Sequence, residues 1–137
     1  MTILTGELIQ AAWIAYLKSQ TSITSLLLNS LQIKELEWQG DDFVYPGIRA
    51  SLDLMPGDAE CFPDRTTVYI DVFSEEKSSK QVAHIAGAIT TLFRTTDNFT
   101  QNSIKIFYVQ VVKVKRPDRI ESGAWQSRIE IDSMVSG

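Results

Sequence analysis

Four carboxylates come nearest to a reactive constellation. Asp53, Asp58, Glu60 and Asp71 fall on a predicted strand, the loop after it and the next strand. Acids gathered from such positions can ligate magnesium and support phosphodiester cleavage. A plainer reading stands beside this one. Asp53 alternates out of its strand, Asp58 follows Pro56-Gly57 as a turn requires, and Glu60 shares that loop, so all three read as solvated turn and edge carboxylates. Asp71 is different. It interrupts the most β-prone segment of the chain, where an acid is costly unless that face is wet, paired or covered by a neighbouring chain.

Other chemistries find no support. The sole histidine, His84, lies on the side of its helix opposite Val82, Ile85 and Ile89, and no Ser or Cys nucleophile motif surrounds it. The sole cysteine, Cys61, can form no intramolecular disulfide, and one Cys with one His cannot close a zinc site, so a reducing compartment is expected. Neither G-x-x-x-x-G-K-[ST] nor G-x-G-x-x-G occurs. No catalytic residue, cofactor or metal is therefore expected. What remains is charge. Lys113, Lys115, Arg116 and Arg119 run off the end of a long strand into a turn, as a solvated edge that blocks unwanted strand pairing or as a patch for phosphates or an acidic surface. No aromatic side chains interleave with them as a stacking platform requires. With 137 residues and a net charge of -4, the chain does not have phosphate neutralisation as its main task. Asp71, Glu75 and Glu76 offer the complementary acidic surface, so these seven residues are the candidate subunit and partner contacts.

The elements that must position these groups follow from periodicity. Ile9, Ala12, Trp13, Tyr16 and Leu17 form one stripe of a helix from Thr5 or Gly6 to about Ser19, with Glu7 in its first turn. Thr21 or Ser22 caps a second short helix carrying Ile23, Leu26, Leu27 and Leu31, which suggests a helical hairpin. Leu36 to Trp38 alternates briefly, Ile48 to Leu54 reads as a strand, and Met55 to Arg65 is dense in turn formers. Thr66 to Phe73 reads as a central strand, with Val68, Ile70 and Val72 on one face and Tyr69, Asp71 and Phe73 on the other. Ser78 and Gln81 fit a capping box opening a long helix whose stripe is Val82, Ile85, Ala86, Ile89, Leu92 and Phe93. Ala83 and Gly87 leave a smooth shoulder beside that stripe. Thr95 to Gln101 reads as a turn. Ile104 to Lys115 reads as a strand buried on both faces at its middle, forming an antiparallel hairpin with the strand from Trp125 onward. The length fits one domain over residues 1–137. The start carries Glu7 and no basic run, and its apolar stretch ends at Lys18, so neither a signal peptide nor a membrane span is expected.

Leu26 to Leu28 in the helical opening, Val44-Tyr-Pro-Gly-Ile48, the strand Val68 to Ser74 and the run Lys77 to Ile89 together resemble the small tail-completion or tail-terminator proteins of tailed bacteriophages. The resemblance spans nearly the whole chain as a pattern of elements, and its specific part is Val68 to Ile89. It implies an α+β subunit, a mostly antiparallel sheet with an N-terminal helical hairpin and one long amphipathic helix packed on the sheet. It further implies a self-assembled, commonly hexameric ring that caps the tail tube, ends tail polymerisation and joins the tail to head connector or neck proteins. Partners would be other copies, the tube protein and the connector, with DNA passing through the lumen and no membrane. The location would be the virion, and the host cytoplasm during assembly. The family carries no catalytic residues to transfer. Three alternatives stand beside it: a head-completion or neck protein on the connector side, a small magnesium-dependent nuclease using the four acids above, and a host adaptor with an exposed sheet edge.

Overall fold

Thr5 opens the first helix by the chemistry expected of a cap. Its hydroxyl oxygen accepts a hydrogen bond from the Leu8 N–H at 3.2 Å, satisfying one of the orphan donors of the first turn. The computed structural model describes residues 5–27, 33–35, 46–55, 57, 64–120 and 123–136. The first helix, α1, is Gly6–Ser19, and a four-residue helix, α2, follows at Thr21–Thr24. The second arm of the hairpin is thus a single helical turn followed by turn residues to Leu27, and Leu31 lies outside the described residues.

Strand β1 is Ile33–Glu35, β2 Gly47–Met55 and β3 Asp64–Ser74; helix α3 is Lys80–Thr95; β4 is Asn98–Gln101, β5 Ile104–Val114, β6 Asp118–Arg119 and β7 Trp125–Ser136. They form one sheet in the order β1-β2-β3-β7-β5-β4, with β6 beside the start of β7. Every pairing is antiparallel except β1 with β2. The fold is α+β, and β3 is central, between β2 and β7. The segment Leu36 to Trp38 and most of the Met55 to Arg65 loop lie outside the described residues.

Alternation assigns the two faces. Ile48 and Ala50 of β2, Val68, Ile70 and Val72 of β3, and Ile129 and Ile131 of β7 all point to the side covered by α1 and α3, and all are buried. Ile9, Trp13 and Leu17 of α1 join Val82, Ile85, Ile89 and Phe93 of α3 over them in one hydrophobic cluster. Between the helices the rings of Trp13, Phe93 and Phe99 meet with centroids 5.1–6.4 Å apart, and Tyr16 stacks on Phe99 at 3.8 Å. Tilted and edge-on ring packing of this kind adds about 0.5–1.5 kcal/mol per pair to simple area burial.

Three local readings change. Asn98–Gln101, which reads as a turn, is strand β4; it pairs with β5 through a two-residue hairpin in which Asn102 and Ser103 have φ of 54° and 63°. Positive φ at both loop positions is the type I′ geometry whose twist matches that of the strands. The Ser78–Gln81 capping box does not form. The Gln81 side-chain oxygen accepts from the Ser74 hydroxyl instead, and Ser78 Oγ accepts from the Lys80 N–H at 3.4 Å. Finally, β5 is not buried on both faces. Its register with β7 slips by one residue between Phe107 and Gln110 and again between Val111 and Lys113. Each β-bulge reverses the alternation, so Ile104 and Ile106, then Val109 and Val111, turn in succession to the same buried side. Tyr108 is the bulged residue, 73% exposed at φ 51°.

Candidate functional site

The outer face of the sheet, away from the helices, carries the polar register of the strands. Arg49, Asp71 and Arg128 stand in one row across β2, β3 and β7, and Ser51, Tyr69 and Glu130 in the next. Asp71 is buried, and its carboxylate accepts two hydrogen bonds from Arg128, from Nε at 2.8 Å and Nη2 at 3.0 Å. Bidentate, charge-assisted pairs are about twice as strong as neutral hydrogen bonds, and this one holds the Arg128 guanidinium above its usual pKa. The guanidinium also lies 5.0 Å from the Tyr69 ring centroid, in cation–π geometry. Tyr69 in turn donates its hydroxyl proton to Asp53 Oδ2 at 3.0 Å, and this bond to a carboxylate raises the phenol pKa above its ordinary value. Asp71 therefore does not lie on an open acidic surface. A partner 57 residues along the chain neutralises it, which corrects its place among the exposed contacts.

Two of the four acids considered for magnesium are described, and each is engaged by another side chain. Asp53 is engaged by Tyr69 and Asp71 by Arg128, while Asp58 and Glu60 lie outside the described residues, as does Cys61. Among the described residues no group of three or more His, Cys, Asp or Glu side chains is arranged to hold a metal ion. His84 is exposed on α3.

The other candidate contacts lie toward one end of the sheet, except Lys113, which stands across from Glu130 midway along β7. Glu75 and Glu76 follow the last residue of β3, and both are exposed. Ser74 stands across from Trp125, and Trp125 across from Arg119 of β6. Lys113, Lys115, Arg116 and Arg119, all exposed, leave β5 and enter β6 on the far side of β7. With strands about 4.8 Å apart, only the backbones of Ser74 and Arg119, which stand across from the same residue of β7, are roughly 10 Å apart across it; Lys115 and Lys113 lie progressively further along the strand. Lys115 N–H donates to Arg128 O at 2.8 Å, and Ser127 Oγ donates to Lys115 O at 2.7 Å, so the backbone of the basic segment is fixed to β7. Lys115 Nζ is 3.6 Å from Asp118, an exposed pair of little energetic weight. The Arg119 guanidinium stands 5.3 Å from the Trp125 ring centroid, which orients it.

Beside the basic segment, α3 and the end of β5 leave a groove of about 390 Å³, bounded by Gly87, Thr91, Arg94, Val114, Lys115 and Arg116. Arg94 is a member that sequence reasoning missed; it sits in the last turn of α3, where a cation suits the helix dipole and carries no other signal. Arg128 was missed too, because only the β3–β7 register brings it to Asp71.

No protein-family model matches the chain, and no curated protein matches it. Solved structures do. A chain from the virion of a native gene transfer agent particle superposes with a TM-score of 0.71 at 16% identity, over 94% of this chain and 95% of that one. A second solved chain superposes with a TM-score of 0.67 at 12% identity, over 98% of each. The likeness establishes the fold over nearly the full described length. No helix among the described residues is long and apolar enough to cross a membrane.

Proposed function

We propose that this chain is a structural virion subunit that assembles into a ring, commonly of six copies, on the end of a phage-like tail tube. There it ends tube growth and presents a surface to the head connector. The observation that carries the reading is the placement of opposite charges on the two flanks of β7, Glu75 and Glu76 on one side and Lys113, Lys115, Arg116 and Arg119 on the other. A closed ring requires two different, mutually complementary patches on each subunit, and charge on such rims sets orientation and register more than affinity. Two further facts support it: a solved structure of the same fold belongs to a gene transfer agent virion, and the carboxylates of Asp53 and Asp71 are occupied by Tyr69 and Arg128.

Light scattering after size-exclusion chromatography, with negative-stain microscopy of the protein alone and mixed with tail tubes, tests the reading. Rings in solution or capped tube ends are expected. A strict monomer at every concentration that never joins a tube overturns it, co-purification with empty heads and not with tails transfers it to the connector side, and magnesium-dependent cutting of duplex DNA replaces it with the nuclease.

A further inference from the structure

We propose that the groove between α3 and the end of β5 is the socket for the Glu75–Glu76 segment of a second copy of this chain. The inference rests on the ring reading and specifies its lateral contact. Three cations, Arg94, Lys115 and Arg116, border the groove and no carboxylate does. Among the described residues Arg94 and Arg116 form no ion pair, and Lys115 has only the exposed, 3.6 Å contact to Asp118. A groove bordered by three cations and by no carboxylate fits an acidic segment, and the exposed Glu75-Glu76 pair is such a segment on the opposite flank of β7.

The shape agrees with the charge. A Cβ built on Gly87 meets nothing within 4 Å, so the wall of α3 is open there, not filled by a neighbouring side chain of the same copy. Val114 reaches the groove from the helix-facing register of β5 and remains 43% exposed. Apolar surface bordered by charge is the pattern of an interface, with an apolar centre and a polar rim. The incoming segment is also ordered in advance, since Ser74 Oγ accepts from the Glu76 N–H at 3.2 Å and the Ser74 hydroxyl engages Gln81. Less freedom is then lost on docking. Because socket and segment are different surfaces of one copy, each docking event leaves one of each free until the ring closes.

The test uses the full chain and three sets of variants, read by sedimentation velocity. Gly87→Leu fills the open wall. Leucine is a better helix former than glycine, so the helix content and melting temperature of the subunit are expected to hold or rise while self-association weakens about tenfold or more. Glu75→Lys with Glu76→Lys, and separately Arg94→Glu with Arg116→Glu, are each expected to abolish association. Mixing those two proteins is expected to restore it, since every lysine segment then meets a glutamate groove and every glutamate segment a basic one. The fourfold variant is expected to associate by itself. Association indifferent to Gly87→Leu and to both charge reversals overturns the socket while leaving the ring reading intact. Loss that neither mixing nor the fourfold variant rescues overturns it as well, as does duplex DNA retention that depends on Arg94 and Arg116 in a protein whose association does not. A wild-type chain that never associates overturns both.

Discussion

The pair Asp71–Arg128 offers a directional experiment, because its two members are unequally buried. The Asp71 side chain is 1% exposed and that of Arg128 37%. Replacing Arg128 with alanine leaves a carboxylate stranded on the sheet with its two best donors gone. Replacing Asp71 leaves a guanidinium that can turn to water. Breaking a buried pair by removing one partner costs about 3–5 kcal/mol when the remaining charge is sealed in. Arg49, across from Asp71 in β2, softens that figure. We expect Arg128→Ala to cost about 2–4 kcal/mol and Asp71→Ala about 1–2 kcal/mol, in the order dictated by exposure. With a urea m-value of about 2 kcal/mol/M, a loss of 3 kcal/mol lowers the midpoint by about 1.5 M. Urea denaturation should be followed by tryptophan fluorescence at one fixed subunit concentration, since association shifts apparent stability. The Asp71→Ala/Arg128→Ala double variant should be less destabilised than the sum of the two, with a coupling of about 1–3 kcal/mol. A larger loss from Asp71→Ala than from Arg128→Ala, or two effects that simply add, would show that unequal burial does not govern this pair.

Phe99→Ala is expected to cost about 3–5 kcal/mol by thermal or chemical unfolding, because it removes the ring on which Trp13 and Tyr16 pack from the β4 side; a loss below about 1 kcal/mol would show that the cluster closes over the gap. Tyr108→Gly is expected to stabilise the fold by about 1 kcal/mol, since a largely exposed side chain held at φ 51° gives way to the residue that adopts it freely, while Tyr108→Val should destabilise it. The Tyr69 phenol, raised by the Asp53 carboxylate, should ionise in ultraviolet titration above the ordinary tyrosine value of about 10, and Asp53→Asn should bring it down. With the folded pKa above the unfolded one, the stabilisation from that bond is complete below the unfolded pKa and is lost as pH rises through the folded one.

Helical periodicity was legible because burial follows it directly. Ile9, Ala12, Trp13 and Leu17, and Val82, Ile85, Ala86, Ile89 and Phe93, are the apolar residues that α1 and α3 bury; Tyr16 and Leu92 of the expected stripes are only partly buried, and α3 buries Thr90 as well. Val68, Ile70 and Val72 alternate into the core for the same reason. Strand β4 was not legible, since Asn98-Phe99-Thr100-Gln101 holds one apolar side chain and its pairing comes from the type I′ hairpin that follows. The exposed charges were found by type alone, and their division between the flanks of β7 needed the sheet order. The neutralisation of Asp71 was hidden for a different reason: a cost visible at one position was met by a residue that no local pattern connects to it.

The two slips in β5 have a consequence for how this chain can change over generations. Tyr108 and Val112 are surplus to the ladder, so losing either codon removes a residue without turning any other side chain in the strand to the wrong side. In β3, which pairs without interruption along its full length, the same loss would throw everything beyond it out of phase. Relatives of differing length should therefore gain and lose single residues in β5 while β3 keeps its count, and the outline of that edge is free to vary over a fixed interior.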